Sequence, residues 1–185
     1  ISVEEICEEN FSLSHRPGML RLYTKKEKIS DRNHCSYFGI RQKNYAFYAE
    51  TGMEFEPKQE CETAGMVLYQ NHENHLRMEI RKRAEENCFV VTACIHGKEK
   101  ILTEKPAGEG RQFFKIRMHC DRQKARIWLF RDGRERLIAE DISLLPYTTE
   151  EAGGFVGCTI GMYASANGQD SSNYADFAWF VQNAI

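Results

Sequence analysis

The feature that most constrains this chain is alternation. Over Tyr45-Ala-Phe-Tyr-Ala-Glu-Thr-Gly-Met-Glu-Phe55, the odd positions Tyr45, Phe47, Ala49, Thr51, Met53 and Phe55 share one side, while Tyr48, Glu50, Glu54 and Glu56 share the other. A period of two is the mark of a strand with one face buried and one wet, and it cannot line one face of a helix. Pro57, which has no amide hydrogen to give a ladder, ends the run. The same period governs residues 75–81, with Leu76, Met78 and Ile80 inward and His75, Arg77, Glu79 and Arg81 outward. It governs residues 113–120 as well, with Phe114, Ile116, Met118 and Cys120 inward. Residues 20–23 and 36–42 are shorter strands, and 64–69 and 89–95 are continuously apolar ones. Residues 126–131 and 135–139 flank Asp132-Gly133, the dipeptide of a two-residue hairpin turn.

The segments between these runs are turn formers. Pro17-Gly18 and residues 106–110 are turn clusters, 24–33 is a charged loop, and 145–151 holds one helical turn. The closing segment reads as a hairpin: Phe155-Val-Gly-Cys-Thr-Ile-Gly-Met-Tyr-Ala164, a polar loop, then Tyr174-Ala-Asp-Phe-Ala-Trp-Phe-Val181. In its first strand Val156, Cys158, Ile160 and Met162 share one face, and Gly157, Thr159 and Gly161 the other. That glycine-threonine face leaves room for close packing, here expected against the first strands. In its second strand Phe177, Trp179 and Val181 alternate with Asp176, Ala178 and Phe180, so both faces are expected to be covered. Roughly a dozen strands at regular turn spacing, with no amphipathic helix, give an all-β sandwich or barrel. The absence of an internal repeat argues against a propeller.

At 185 residues the chain suits a single domain, with residues 1–10 an acidic linker or first edge. A net charge of −2 gives no field to attract nucleic acid, and no apolar run is long enough to span a membrane. The first residue is Ile1 rather than Met, which leads us to expect a fragment of a larger polypeptide. The seven cysteines are odd in number and none sits at Cys-x-x-Cys spacing. Free thiols in a reducing compartment, and hence a cytoplasmic location, are expected.

Candidate sites follow from side-chain chemistry. An outward row of Arg41, Gln42, Tyr48, Tyr69, Asn71, Arg77 and Glu79 combines aromatic faces with planar donors and acceptors, the groups that hold a sugar. An ordinary charged sheet face has the same composition. Glu54 and Glu79 are the acids that a stand-alone glycosidase would need on either side of a bond. A solvated acidic strand end is the plainer reading of Glu54 and Glu56. His72 and His75 share a turn but lack a third ligand in sequence. Asp176, beside loop oxygens of 167–173, is a candidate ligand for structural calcium, or an acceptor from a backbone amide. No other cofactor is implied.

Five phrases in order resemble the C-terminal β-sandwich of glycoside hydrolase family 43, the accessory domain of β-xylosidases. They are Arg16-Pro-Gly-Met-Leu-Arg-Leu-Tyr23, Ile40-Arg-Gln42, Phe47-Tyr-Ala-Glu-Thr-Gly-Met-Glu-Phe-Glu-Pro57, Glu62-Thr-Ala-Gly-Met-Val-Leu-Tyr-Gln-Asn71, and Gly161-Met-Tyr-Ala164 with Ala175-Asp-Phe-Ala-Trp-Phe180. The resemblance implies a concanavalin A-like sandwich (jelly roll) of two antiparallel sheets, also described as a xylan-directed carbohydrate-binding module. It implies a catalytic five-bladed propeller as partner, xylo-oligosaccharides as the glycan, and no catalytic centre in this chain. The family's loop toward the active-site mouth would fall at residues 28–35. There Asn33 and His34 make a polar lip where the family carries an aromatic residue.

Overall fold

Each alternating run closes one side of a shared core. The computed structural model describes residues 8–32, 35–154 and 157–185. Two antiparallel sheets result. The seven-stranded sheet has the order β1 (Phe11–Ser12), β2 (Leu20–Tyr23), β13 (Tyr174–Ala184), β4 (Ala46–Phe55), β9 (Gln112–Asp121), β10 (Lys124–Arg131), β11 (Arg134–Ser143). The six-stranded sheet has the order β3 (Ser36–Arg41), β12 (Thr159–Ser165), β5 (Thr63–Asn71), β6 (Asn74–Arg83), β7 (Glu86–Ile95), β8 (Lys98–Pro106). A 3₁₀ turn (Leu145–Tyr147) and the short helix α1 (Thr149–Ala152) follow β11, matching the single helical turn read there.

The inward sets interdigitate. Phe47, Ala49, Met53 and Phe55 of β4 and Phe114, Ile116, Met118 and Cys120 of β9 meet Met66 and Leu68 of β5, Leu76, Met78 and Ile80 of β6, and Phe89 and Val91 of β7. All are buried in one cluster. Each large apolar side chain so buried contributes about 1.5–3 kcal/mol, so this one core accounts for the fold. The hairpin at Asp132-Gly133 forms as read: both residues have positive φ (50° and 69°), and Arg131 pairs with Arg134. Positive φ at both central positions gives the turn the hand of the strands it joins.

The closing segment differs from its reading. Its strands do not pair as a hairpin. β12 lies between β3 and β5 in one sheet, whereas β13 lies between β2 and β4 in the other. Residues 166–173 therefore cross between the layers. The neighbours β2 and β3 are early strands, so the chain's two ends do meet, once in each sheet. The face assignment of β13 also fails past its middle. A bulge between Phe177 and Trp179 leaves Ala178 unpaired, so Phe177 is buried and Phe180 packs on the core while Trp179 and Val181 face out. One extra residue reverses the alternation beyond it. Residues 1–7 and 155–156, within the expected linker and the start of the closing segment, lie outside the described residues.

Candidate functional site

Strand pairing places the outward side chains of the six-stranded sheet in rows. The first row is Arg41, Thr159, Tyr69, His75, Cys94 and Glu99. The second is Gly39, Gly161, Val67, Arg77, Thr92 and Ile101, and the third is Tyr37, Tyr163, Gly65, Glu79, Val90 and Glu104. Facing partners have Cβ atoms about 4.5–5.5 Å apart, so each row is a line of touching groups.

The central part of this face is not exposed. Ile29, from the loop after β2, packs on Val67 and Tyr163, with Cys35, Tyr37 and Tyr69 around them. The loop is tied down from the crossing segment: Ser165 Oγ donates to the Glu27 carbonyl at 2.8 Å and the Ala166 amide to the Lys25 carbonyl at 2.7 Å. Tyr37 leans over Gly39, where a Cβ would collide with its ring, and its hydroxyl donates to Thr159 Oγ1 at 2.8 Å. At Gly161 a Cβ would overlap the backbone of Phe38 and Gly39 on the neighbouring strand. The glycine face read from the sequence is thus a place where strand backbones and a tyrosine ring crowd together.

Charged groups lie beneath this cover. His75 and Glu79 are 0% exposed and Arg77 4%. Arg77 donates through Nη2 to Glu99 Oε2 at 2.7 Å, and Arg81 pairs with Glu79 Oε1. Several buried polar atoms on this face have no hydrogen-bond partner among the described residues: Tyr163 OH, Glu79 Oε2, Thr92 Oγ1, Arg77 Nε and Arg81 Nε. Burial raises Glu79 to about 7. Burial, seconded by the charge of Arg77, lowers His75 to about 4, so the imidazole is neutral at neutral pH. Burial also raises the Cys94 thiol. The His75, Cys94 and Glu99 ligand atoms lie within 4.8 Å of one another. The ring of Tyr69 stacks on His75, with centroids 6.2 Å apart and planes at 26°.

The structure divides the row predicted for a sugar. Tyr69, Arg77 and Glu79 do share a face, with Arg41 exposed at its rim. Tyr48 belongs to β4, on the outer side of the other sheet, where its hydroxyl accepts from Asn183 Nδ2 at 2.8 Å. Asn71 closes the β5–β6 turn: its Oδ1 accepts from the Glu73 amide at 2.9 Å and from Asn74 Nδ2 at 3.1 Å. Gln42 lies just past β3 and donates to the Asn44 carbonyl at 3.1 Å. Asn33 and His34 lie outside the described residues.

The acid pair is corrected outright. Glu54 projects from the outer face of the seven-stranded sheet and Glu79 from that of the six-stranded sheet, so two layers of core separate them. They cannot flank one glycosidic bond. Glu54 instead accepts a bidentate pair from Arg16 at 2.7 and 2.9 Å. Asp176 is likewise held by arginines. Arg21 binds it at 2.8 and 3.1 Å, Arg111 at 3.0 Å and Arg16 at 3.2 Å. Three guanidinium groups surround this carboxylate. Arg21 also lies 3.6 Å above the ring centre of Tyr174. Sequence reasoning missed Cys94, Glu99, Thr92 and Tyr163 as members of the candidate face. Their only signal is the outward parity of their strands, and pairing across strands is what brings them to His75 and Arg77.

Residues 4–182 match the family described as the β-xylosidase C-terminal concanavalin A-like domain. The chain belongs to this family. Among its relatives is a xylosidase/arabinosidase of Butyrivibrio fibrisolvens, 42% identical over 185 residues, covering 100% of this chain and 35% of the relative. A non-reducing end α-L-arabinofuranosidase of Bacteroides ovatus is 30% identical over 172 residues, covering 92% of this chain and 32% of the relative. The chain therefore spans about a third of the length of these curated relatives. Among solved structures, the Bacteroides ovatus xyloglucan PUL GH43B protein superposes with a TM-score of 0.91 at 27% identity, over 98% of this chain and 36% of that one. The xylan β-1,4-xylosidase of Bacillus halodurans superposes with a TM-score of 0.86 at 22% identity, over 93% of this chain and 34% of that one, a likeness of fold. Two antiparallel sheets around one core are the architecture that the family description names.

Proposed function

We propose that this chain is the non-catalytic accessory sandwich of a family 43 glycosidase of the xylosidase/arabinofuranosidase type, and that its work is to dock on and steady a catalytic propeller. One observation carries the reading. The polar row suited to a sugar is withdrawn from water, with Arg77 and Glu79 buried and several of their neighbours' hydrogen bonds unmet. A surface that reads glycans presents its aromatic faces and forked donors to solvent, and this one is closed off within the chain itself, partly by the Ile29 loop, so the accessory role beside a catalytic domain is the reading that the family match supports. The opposed placement of Glu54 and Glu79 supports the same reading, because hydrolysis then depends on residues outside this third of the protein. The free cysteines among the described residues support a cytoplasmic setting.

A second reading rests on the opposite sheet. Trp179 reaches over Gly52, with the Phe113 ring centre 5.5 Å away at a tilt of 38°; the two are 38% and 41% exposed, aromatic surface on which a xylo-oligosaccharide ring could stack. Calorimetric titration of this chain with xylo-, arabino- and gluco-oligosaccharides separates the two. Docking expects silence from every sugar, together with complex formation with a catalytic propeller supplied as a separate chain. Sugar binding that Trp179→Ala abolishes would establish this second reading. Failure to associate with any propeller would overturn the docking reading.

A further inference from the structure

The end of the first row on the six-stranded sheet holds three donors of different hardness. His75 on β6 faces Cys94 on β7, and Cys94 faces Glu99 on β8. We propose that His75, Cys94 and Glu99 form a binding site for a borderline-soft divalent metal ion, with zinc the ion of choice. The geometry and the state of each donor lead there.

Zinc takes imidazole nitrogen at about 2.0–2.1 Å, thiolate sulfur at about 2.3 Å and carboxylate oxygen at about 2.0–2.2 Å, so donors on one tetrahedral ion stand roughly 3.4–3.6 Å apart. The three ligand atoms already lie within 4.8 Å of one another. The side chain of Glu99 is 47% exposed and free to turn toward the two buried donors. A thiol, an imidazole and one carboxylate do not suit calcium or magnesium, which take six or more oxygens.

The imidazole of His75 is fully buried, and among the described residues the backbone of Asn71 is the one hydrogen-bonding group beside it, which leaves a ring nitrogen for an ion. The Cys94 thiol donates to the Glu73 carbonyl at 3.3 Å. On binding, the S–H bond breaks, a sulfur–metal bond forms, and the proton leaves to solvent on the Glu99 side. Arg77 holds one carboxylate oxygen of Glu99 at 2.7 Å and leaves the other for the ion. It is the outer partner that fixes the ligand's orientation. The fourth position falls to water.

The experiment uses cobalt(II) as a visible stand-in and then zinc(II) to displace it, on the 185-residue chain stripped of metal and kept reduced with a phosphine. One equivalent of cobalt should give a thiolate-to-cobalt charge-transfer band in the near ultraviolet and the visible bands of a tetrahedral ion, both removed by zinc. Cys94→Ser should abolish the charge-transfer band, whereas Cys88→Ser, on the same face but in another row, should keep it. Glu99→Gln keeps an acceptor for Arg77 and should weaken binding at least about ten-fold, with a melt of the metal-free variant as the control for folding. Absence of the band at one equivalent, or its survival in Cys94→Ser, would overturn the site. If Cys94→Ser does not fold, X-ray absorption of the zinc-loaded chain decides: a first shell without sulfur refutes the proposal, and one with sulfur, nitrogen and oxygen supports it. The test is independent of what covers the face, since it reads the ion directly.

Discussion

Replacing Asp176 with Asn should cost about 3 kcal/mol of folding stability, the lower end of the range for removing one partner of a buried ion pair. Asp176 is 1% exposed and stands on β13 opposite Arg21 on one side and Glu54 on the other. Its carboxylate accepts four N–H groups from Arg21, Arg16 and Arg111 at 2.8–3.2 Å. Asn keeps the shape and one acceptor, but turns an amide donor toward a guanidinium and leaves three cations with Glu54 alone. The arginines can swing partly into water, since their side chains are 16–38% exposed, which is why the lower end of the range applies. At about 2–4 °C per kcal/mol for a chain of this size, the melting temperature should fall by roughly 6–12 °C.

A double-mutant cycle with Arg21→Gln should return a coupling of at least about 1 kcal/mol. Acid supplies a second reading of the same interaction. Burial pushes the Asp176 pKa up, but hydrogen bonds from Arg21 and Arg16 outweigh it and hold the group below its ordinary 3.8. A depressed native pKa gives stability that is present above the unfolded value and lost as pH falls through the native one. The gap between wild type and Asp176→Asn should therefore be full at neutral pH and close below about 3.8. A variant that melts within about 2 °C of wild type, or a gap that stays constant into acid, would show that the cluster is a solvated surface network.

Glu79 shows the opposite sign. Its native pKa, raised from 4.5 to about 7, gives stability that is present below the unfolded value and lost as pH rises through the native one. Thermal melts of wild type and Glu79→Gln at pH 5 and pH 8 should show wild type losing up to about 3 kcal/mol relative to the variant; parallel melts would disprove a strained carboxylate. Gly161→Ala should cost on the order of 3 kcal/mol or more, read as loss of soluble chain or of a cooperative melt, because a Cβ there overlaps the Phe38–Gly39 backbone. Tyr163→Phe removes a buried hydroxyl that has no partner among the described residues, so the isolated chain should be unchanged or stabilised by about 1 kcal/mol. Destabilisation in urea melts would mean that the hydroxyl is satisfied within the chain.

Strand identity and the inward sets were legible in this sequence because one wet face and one dry face impose a period of two. Phe47 to Phe55, Leu76 to Ile80 and Phe114 to Cys120 fall where that period puts them. The Asp132-Gly133 turn was legible because few residue pairs tolerate two positive φ angles. The family was legible as well, through five phrases in order. The candidate face was legible only in part: parity placed Tyr69, Arg77 and Glu79 outward, but could not say that Tyr48 leaves for the other sheet. Nor could it show that Glu54 and Glu79 face opposite ways, since parity describes a strand and is silent about the layer it joins.

What the sequence determined by itself is local: which runs are strands, which side of each is apolar, and where the chain turns. Tertiary structure decided everything that depends on registering one strand against another. It parted β12 from β13, and through one bulge it turned Trp179 outward. It gave Asp176 three arginines from separate segments, and it set His75, Cys94 and Glu99 side by side across three strands. Burial of side chains is written into the period of a single strand. The meeting of charges and ligands is written only in the hydrogen-bonded register between strands, and that register exists once the two sheets have closed on their core.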